Sequence, residues 1–270
     1  MSVSGRWRLT PVQLDVVLKY LGIDGLTLPL GARSYGRTGE EFAAIVRAEQ
    51  PGLVAAGIVV ADEIEPRLAQ ALRVLARPYL WVDSLWFPQV GEDHCWRALA
   101  VQTEGDRVVL GVQPPGESSR YGGMLTVEVH EGVPLPQVLL PTLPPAPPGN
   151  RGAVQVPASS FRVDHPDDAD EWDVMERPKR TTSGDREFAR YQEIGKAPHV
   201  RLGQIAANLR DPNGRTTRSA VLRWFDNAEP DGRYLDYAEP GASGERLYLI
   251  SPADARSVGA RVRALIDQVR

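Results

Sequence analysis

The chain is punctuated most strongly near its middle, by Pro141-Thr-Leu-Pro-Pro-Ala-Pro-Pro-Gly-Asn150. Five prolines in eight residues cannot continue a helix or supply a central strand, because each removes a backbone donor and fixes φ. They favour a stiff, extended connector. Any fold must therefore be built from what stands on either side of it, residues 1–148 and 149–270.

Both sides show the same change of period. In the first half Trp7 to Leu9 reads as a short strand, and Thr10-Pro11 offers an N-cap with proline at the first helical position. Leu14, Val17, Leu18 and Leu21 then make one helical stripe that Gly22 ends. Thr38-Gly-Glu-Glu41 reads as a capping box for a second helix through Phe42, Ile45 and Val46. Asp62 is expected to open a third, with Ile64, Leu68, Leu72 and Leu75 at its apolar positions and Pro78 past its end. From Tyr79 the pattern turns strand-like: Tyr79 to Phe87, His94 to Thr103, Arg107 to Val112 and Leu125 to Val129 form a four-strand meander. Trp81 and Trp86 stand an odd number apart and face opposite ways, one to the core and the other exposed or covered by a neighbour. Leu135, Val138, Leu139 and Leu143 suggest a short closing helix.

The second half runs in the same order. Ala153 to Val156 is a strand, and Phe188, Tyr191 and Ile194 mark a helix. Val200 to Arg210 and Arg215 to Phe225 flank the turn Asp211-Pro-Asn-Gly214. Asp231 to Tyr237 and Arg246 to Ile250 complete a second meander, and Ser251-Pro-Ala-Asp254 caps a terminal helix with Val258, Val262, Leu265, Ile266 and Val269 on one side. The expected fold class is α+β: a central antiparallel sheet built from two pseudo-repeated halves, 1–148 and 149–270, forming one compact domain with two helical bundles on the sheet. Two polar stretches, Asp164 to Asp173 and Glu176 to Asp185, read as loop.

The chemistry of the chain is sparse. A net charge of −4 gives no general attraction to nucleic acid or anionic lipid, and no apolar run reaches bilayer length. One cysteine, Cys95, excludes an intramolecular disulfide framework and any multi-cysteine metal site. His94 and Cys95 are adjacent, so on a strand they point to opposite faces. His130, His165 and His199 are scattered without metal-ligand spacing. Gly195-Lys196 lacks the rest of a P-loop, and no Gly-X-Ser-X-Gly elbow occurs. The acids between Asp167 and Asp173 lack the glycine and terminal glutamate of a calcium loop, and Arg177-Pro-Lys-Arg180 is too short and too close to them to predict nucleic-acid binding. The expectation is a cytoplasmic protein with no catalytic residues, no cofactor and no metal.

Several segments resemble one family. Pro29-Leu30, Ser34-Tyr-Gly36-Arg-Thr38-Gly-Glu-Glu41, Leu53 and the run from Leu68 to Pro78 with Leu72, Leu75, Ala76 and Arg77 are similar to the N-terminal half of the ESX secretion-associated EspG proteins. Arg210-Asp-Pro-Asn-Gly-Arg215, Trp224-Phe-Asp226, Gly232-Arg-Tyr234 and the Ser251-Pro-Ala-Asp254 helix resemble the C-terminal half, so the likeness covers nearly the whole chain in order. The resemblance implies a cytosolic chaperone of type VII secretion. Such a protein binds the hydrophobic tip of a PPE protein in a PE–PPE heterodimer, keeps that cargo soluble and directs it to its ESX system. The family's contact surface implies a partner-binding role for the loop Phe87-Pro-Gln-Val-Gly-Glu-Asp93, hence Phe87, Gln89, Val90, Glu92 and Asp93, and for Phe188, Tyr191 and Ile194 of the second-half helix. The loop is short, and ordinary core packing is the competing reading of the three helical residues. The free chain is expected to be a monomer or weak homodimer, binding neither nucleic acid nor membrane. Two alternatives stay open at this point: a hydrolase or transferase on a repeated α+β scaffold, which would need a deep polar cleft with perturbed titratable groups, and a homodimeric adaptor for another helical protein.

Overall fold

The computed structural model describes residues 2–161, 183–242 and 244–270. They form two compact units, Met1–Pro145 with Arg201–Leu222 and Ala255–Arg270, and Ala146–Val200 with Arg223–Asp254. The class is α+β, and the strand ladders described below are all antiparallel.

The first unit opens with β1 (Ser2–Leu9) and α1 (Pro11–Tyr20). Thr10 Oγ1 accepts the Gln13 N–H, and Gln13 Oε1 accepts the Thr10 N–H, a reciprocal cap that fixes where the helix starts. At α2 (Gly39–Ala55) Thr38 accepts the Glu41 N–H as expected, but the Glu41 carboxylate takes the Arg37 N–H instead of the cap's own. The third helix starts later than Asp62. Ala61 and Asp62 both have positive φ and form the two-residue turn between β2 (Val59–Val60) and β3 (Glu63–Ile64), so α3 (Pro66–Ala76) is capped by Glu65. A two-residue hairpin needs left-handed backbone at both central positions, and Asp tolerates it.

The meander follows as β4 (Leu80–Phe87), β5 (Trp96–Gln102), β6 (Arg107–Gln113), a small hairpin of β7 (Pro115–Ser118) and β8 (Tyr121–Gly122), then β9 (Leu125–Glu131). The small hairpin is an addition to the sequence reading. It closes tightly, since a Cβ on Gly116 would meet Tyr121 O at 2.4 Å. After α4 (Leu135–Leu139) the chain leaves this unit, returning for β11 (His199–Arg210), β12 (Thr216–Arg218) and α6 (Ala255–Val269). The strand order is β1-β9-β6-β5-β4-β11, with β12 on β11.

Alternation decides the two faces. Trp81, Leu99, Val101, Val109, Val127 and Val129 share one core with Leu14, Val17, Leu18, Leu68, Leu72 and Leu75 of α1 and α3. Their alternates Val82, Ala98, Ala100, Val108 and Leu110 are also buried, and α4 packs over β5 and β6. Both expected orientations of the tryptophans hold, and both rings end up buried. Trp86 is covered by Trp96, stacked at 5.5 Å with 2° between planes, and its Nε1 donates to Thr142 O.

The strand expected over Arg215 to Phe225 is broken in two. Ser219 Oγ accepts the Ala207 N–H and donates to Ala220 O, taking over the ladder's role and ending β12.

The second unit contains β10 (Val154–Pro157), a 3-10 turn over Ala158–Phe161, α5 (Ser183–Lys196), β13 (Leu222–Asn227), β14 (Arg233–Pro240) and β15 (Arg246–Pro252), ordered β13-β14-β15-β10. The proline stretch departs from its expected extended course at its start, where Pro141 and Thr142 belong to a 3-10 turn over Leu140–Thr142 and extended backbone begins at Leu143. Its far end docks on β14, where Pro147 O accepts the Arg233 N–H and the Gly149 N–H donates to Arg233 O, each at 2.8 Å. The acidic stretch Asp164 to Asp173 lies outside the described residues, as do 176–182, whereas Ser183 to Asp185 form the first turn of α5.

Candidate functional site

The sequence-derived candidates fall in both units, so each is described within its own. In the first unit they occupy the loop joining β4 to β5. Phe87 is half-buried at the end of β4, where it pairs with Leu202 of β11. Gln89, Val90, Glu92 and Asp93 are exposed, with Val90 at 43%. Gly91 has φ +92, and the Glu92 N–H donates to Gln89 O, so a compact turn presents two carboxylates and one apolar side chain.

The loop's far end is anchored by two residues. Cys95 is 4% exposed, and burial raises its thiol above the ordinary range, with Arg97 acting weakly against that shift. Such a thiol is a packing residue, not a thiolate nucleophile. Arg97, the second residue of β5, is 6% exposed. Its Nη1 donates to Cys95 O at 3.2 Å and its Nη2 to Ser119 O at 2.6 Å, in the β7–β8 turn. Beside it on β6, the Gln113 amide exchanges two hydrogen bonds with the Gly31 backbone. Sequence reasoning missed both anchors, because their partners lie far along the chain and no spacing announces them.

In the second unit Phe188, Tyr191 and Ile194 form one stripe of α5 at i, i+3, i+6. Phe161 sits at the centre of an aromatic cluster, edge-on to Phe188 at 5.2 Å, Tyr191 at 5.5 Å and Tyr248 at 5.0 Å, and is itself 43% exposed. Phe188 and Tyr191 are half-buried, while Ile194 is 1% exposed and faces inward, so its part is to seat the helix. Tyr191 Oη donates to Asp236 Oδ1 at 3.2 Å. Burial first, then the neighbouring Asp236 carboxylate, holds that phenol well above its ordinary value. Burial likewise raises the Asp236 carboxyl, against the Tyr191 hydrogen bond and the Arg223 guanidinium. At the end of α5 the His199 ring lies between Asn227 Oδ1 at 2.7 Å and Gly195 O at 3.1 Å.

The other perturbed groups of this unit are absorbed in holding backbone. Burial pushes the Asp231 carboxyl up, but hydrogen bonds from the Asn150 N–H, Tyr234 Oη, Asn227 and the Gly232 N–H outweigh it and leave it below its ordinary value. Tyr234 is pushed up to about 12, chiefly by burial and then by that same hydrogen bond to Asp231. Arg233 and Asp226 form a buried pair at 2.7 Å, with the guanidinium also over the Trp224 ring. Among the described residues no group of three or more His, Cys, Asp or Glu is placed to hold a metal ion, and no helix is long and apolar enough to cross a membrane.

The sequence-derived candidates are thus an exposed loop held at its base in the first unit and a helix seated on an aromatic cluster in the second. The chain belongs to the EspG family, whose sequence profile matches residues 10–264. None of the curated proteins matches it. Among solved structures it is similar to the Mycobacterium tuberculosis type VII secretion system chaperone EspG5, determined in complex with the PE25–PPE41 dimer. The two share 20% identity over 98% of this chain and 97% of that one, with a TM-score of 0.63, a likeness of fold.

Proposed function

We propose that this protein is a non-catalytic chaperone of type VII secretion that binds the hydrophobic tip of the PPE subunit in a PE–PPE heterodimer, keeps it soluble in the cytoplasm and directs it to its ESX system. The observation that carries the reading is the family match over residues 10–264, supported by a shared fold with a chaperone solved on a PE–PPE dimer. The physical logic is that of a helical cargo with an apolar end, which self-associates unless that patch is covered.

The contact segments assigned by this reading are Phe87, Gln89, Val90, Glu92 and Asp93 in the first unit and the Phe188–Tyr191 face of α5, seated by Ile194, in the second. Val90 within the loop and Phe161 beside α5 supply exposed apolar area. Cargo release then proceeds by competition or handover.

The test is co-expression with PE–PPE pairs encoded beside this chain, followed by size-exclusion chromatography. A complex of one chaperone with one heterodimer is expected. Failure to comigrate with any such pair contradicts the assignment.

A further inference from the structure

The β4–β5 loop would be a poor binding element if it were free. Gln89 to Asp93 are all exposed, and ordering such a segment on contact costs side-chain entropy for each residue immobilised. The structure holds it at its base by an unusual device. Arg97 is a buried cation that donates to two carbonyl oxygens: Cys95 O at the end of the loop, and Ser119 O in a hairpin 22 residues on. A guanidinium presents its donors in a rigid planar fork, so two bonds to two different loops fix their separation and mutual orientation. The hairpin closes tightly, with Gly116 and Gly122 packed backbone to backbone and Glu117, Ser118, Ser119 and Arg120 exposed at its tip.

We infer that Arg97 is the positioning residue of the partner-facing surface, and that the surface includes the Glu117–Arg120 hairpin tip as well as the β4–β5 loop. The two loops meet the partner as one preset edge whose shape Arg97 determines. This rests on the partner-binding reading above and names the part of the first unit that carries it. A preset edge acts through the population of the binding-competent shape. Loosening it lowers the apparent affinity by the fraction lost, with the change falling on the association rate.

The experiment uses the full chain and the PE–PPE pair that comigrates with it. For wild type, Arg97→Gln and Arg97→Lys, amide hydrogen exchange is measured on the free protein, and association and dissociation rates are measured with the partner immobilised. In Arg97→Gln, exchange is expected to quicken in both 89–94 and 117–120, and the association rate to fall about tenfold with little change in dissociation. Arg97→Lys, which keeps the charge but not the fork, should fall between. Should Arg97→Gln not fold, Ser118→Gly with Ser119→Gly loosens the hairpin tip without touching the buried cation, and the same fall in association is expected. Faster exchange in one loop alone overturns the coupling, and loosened loops with unchanged association overturn the positioning role. If wild type binds no pair at all, the chaperone reading fails, while the exchange arm still reports whether Arg97 couples the two loops.

Discussion

The two units are held together by different physics. In the first, α1 and α3 bury leucines and valines against a sheet face that contributes Trp81, Leu99, Val101 and Val109, and its stability rests mainly on apolar area removed from water. In the second, the interior is threaded with paired polar groups. Arg233 is bound to Asp226, Tyr234 Oη donates to Asp231 and accepts the Arg151 N–H, and Tyr191 donates to Asp236. These tie Arg151 and α5 to β14 and the turn before it, alongside an apolar core that includes Trp224, Leu235 and Ile250. Apolar cores fail gradually as volume is lost, whereas polar nodes fail abruptly when one partner goes.

The largest effect is expected from Asp226→Ala, which takes the paired carboxylate away from the buried Arg233 guanidinium. It should cost about 3–5 kcal/mol, read as a lowered denaturant midpoint. Leu72→Ala, in the apolar core with 0% exposure, should cost about 3 kcal/mol. If Asp226→Ala proves milder than Leu72→Ala, the contrast between the units collapses.

Acid titration sharpens the comparison next. Asp231 has its carboxyl held below the ordinary value in the folded chain. The stability it contributes is present above the ordinary carboxylate pKa, about 4, and is lost as pH falls through the depressed folded value. Tyr234→Phe removes one of the bonds responsible. It should cost about 1–2 kcal/mol at neutral pH and flatten the acid limb of the stability profile. An acid limb as steep as wild type would remove Asp231 from the explanation.

Asp236 should behave in the opposite sense, since its folded carboxyl is raised. Its contribution is fully present below the ordinary value and fades as pH rises through the folded one. Asp236→Asn keeps an acceptor for Tyr191 without the buried charge. It should leave stability within about 1 kcal/mol of wild type, with the gain on the neutral side and none in acid.

Much of the fold was legible because its signals are local. Four strands after Tyr79, the Thr10 cap and the stripe Val258, Val262, Leu265, Ile266 and Val269 need only a window of a dozen residues to declare themselves. The departures arise where a side chain competes with the backbone: Asp62 in a left-handed turn, Glu41 reaching past its cap to Arg37, and Ser219 replacing a ladder partner. The candidate site was legible as segments and not as a device. Phe188 and Tyr191 announce an aromatic stripe, but Phe161, which joins them, is 27 residues before Phe188 in the chain. Arg97 reads as one more strand cation until its carbonyl partners are placed.

Amide exchange of the full chain, free and bound to its PE–PPE pair, tests the central claim most directly. Slowed exchange concentrated in 87–94, at the 117–120 hairpin tip and along α5 at 188–194 is the predicted footprint. A footprint confined to other segments, with these three unchanged on binding, would contradict it.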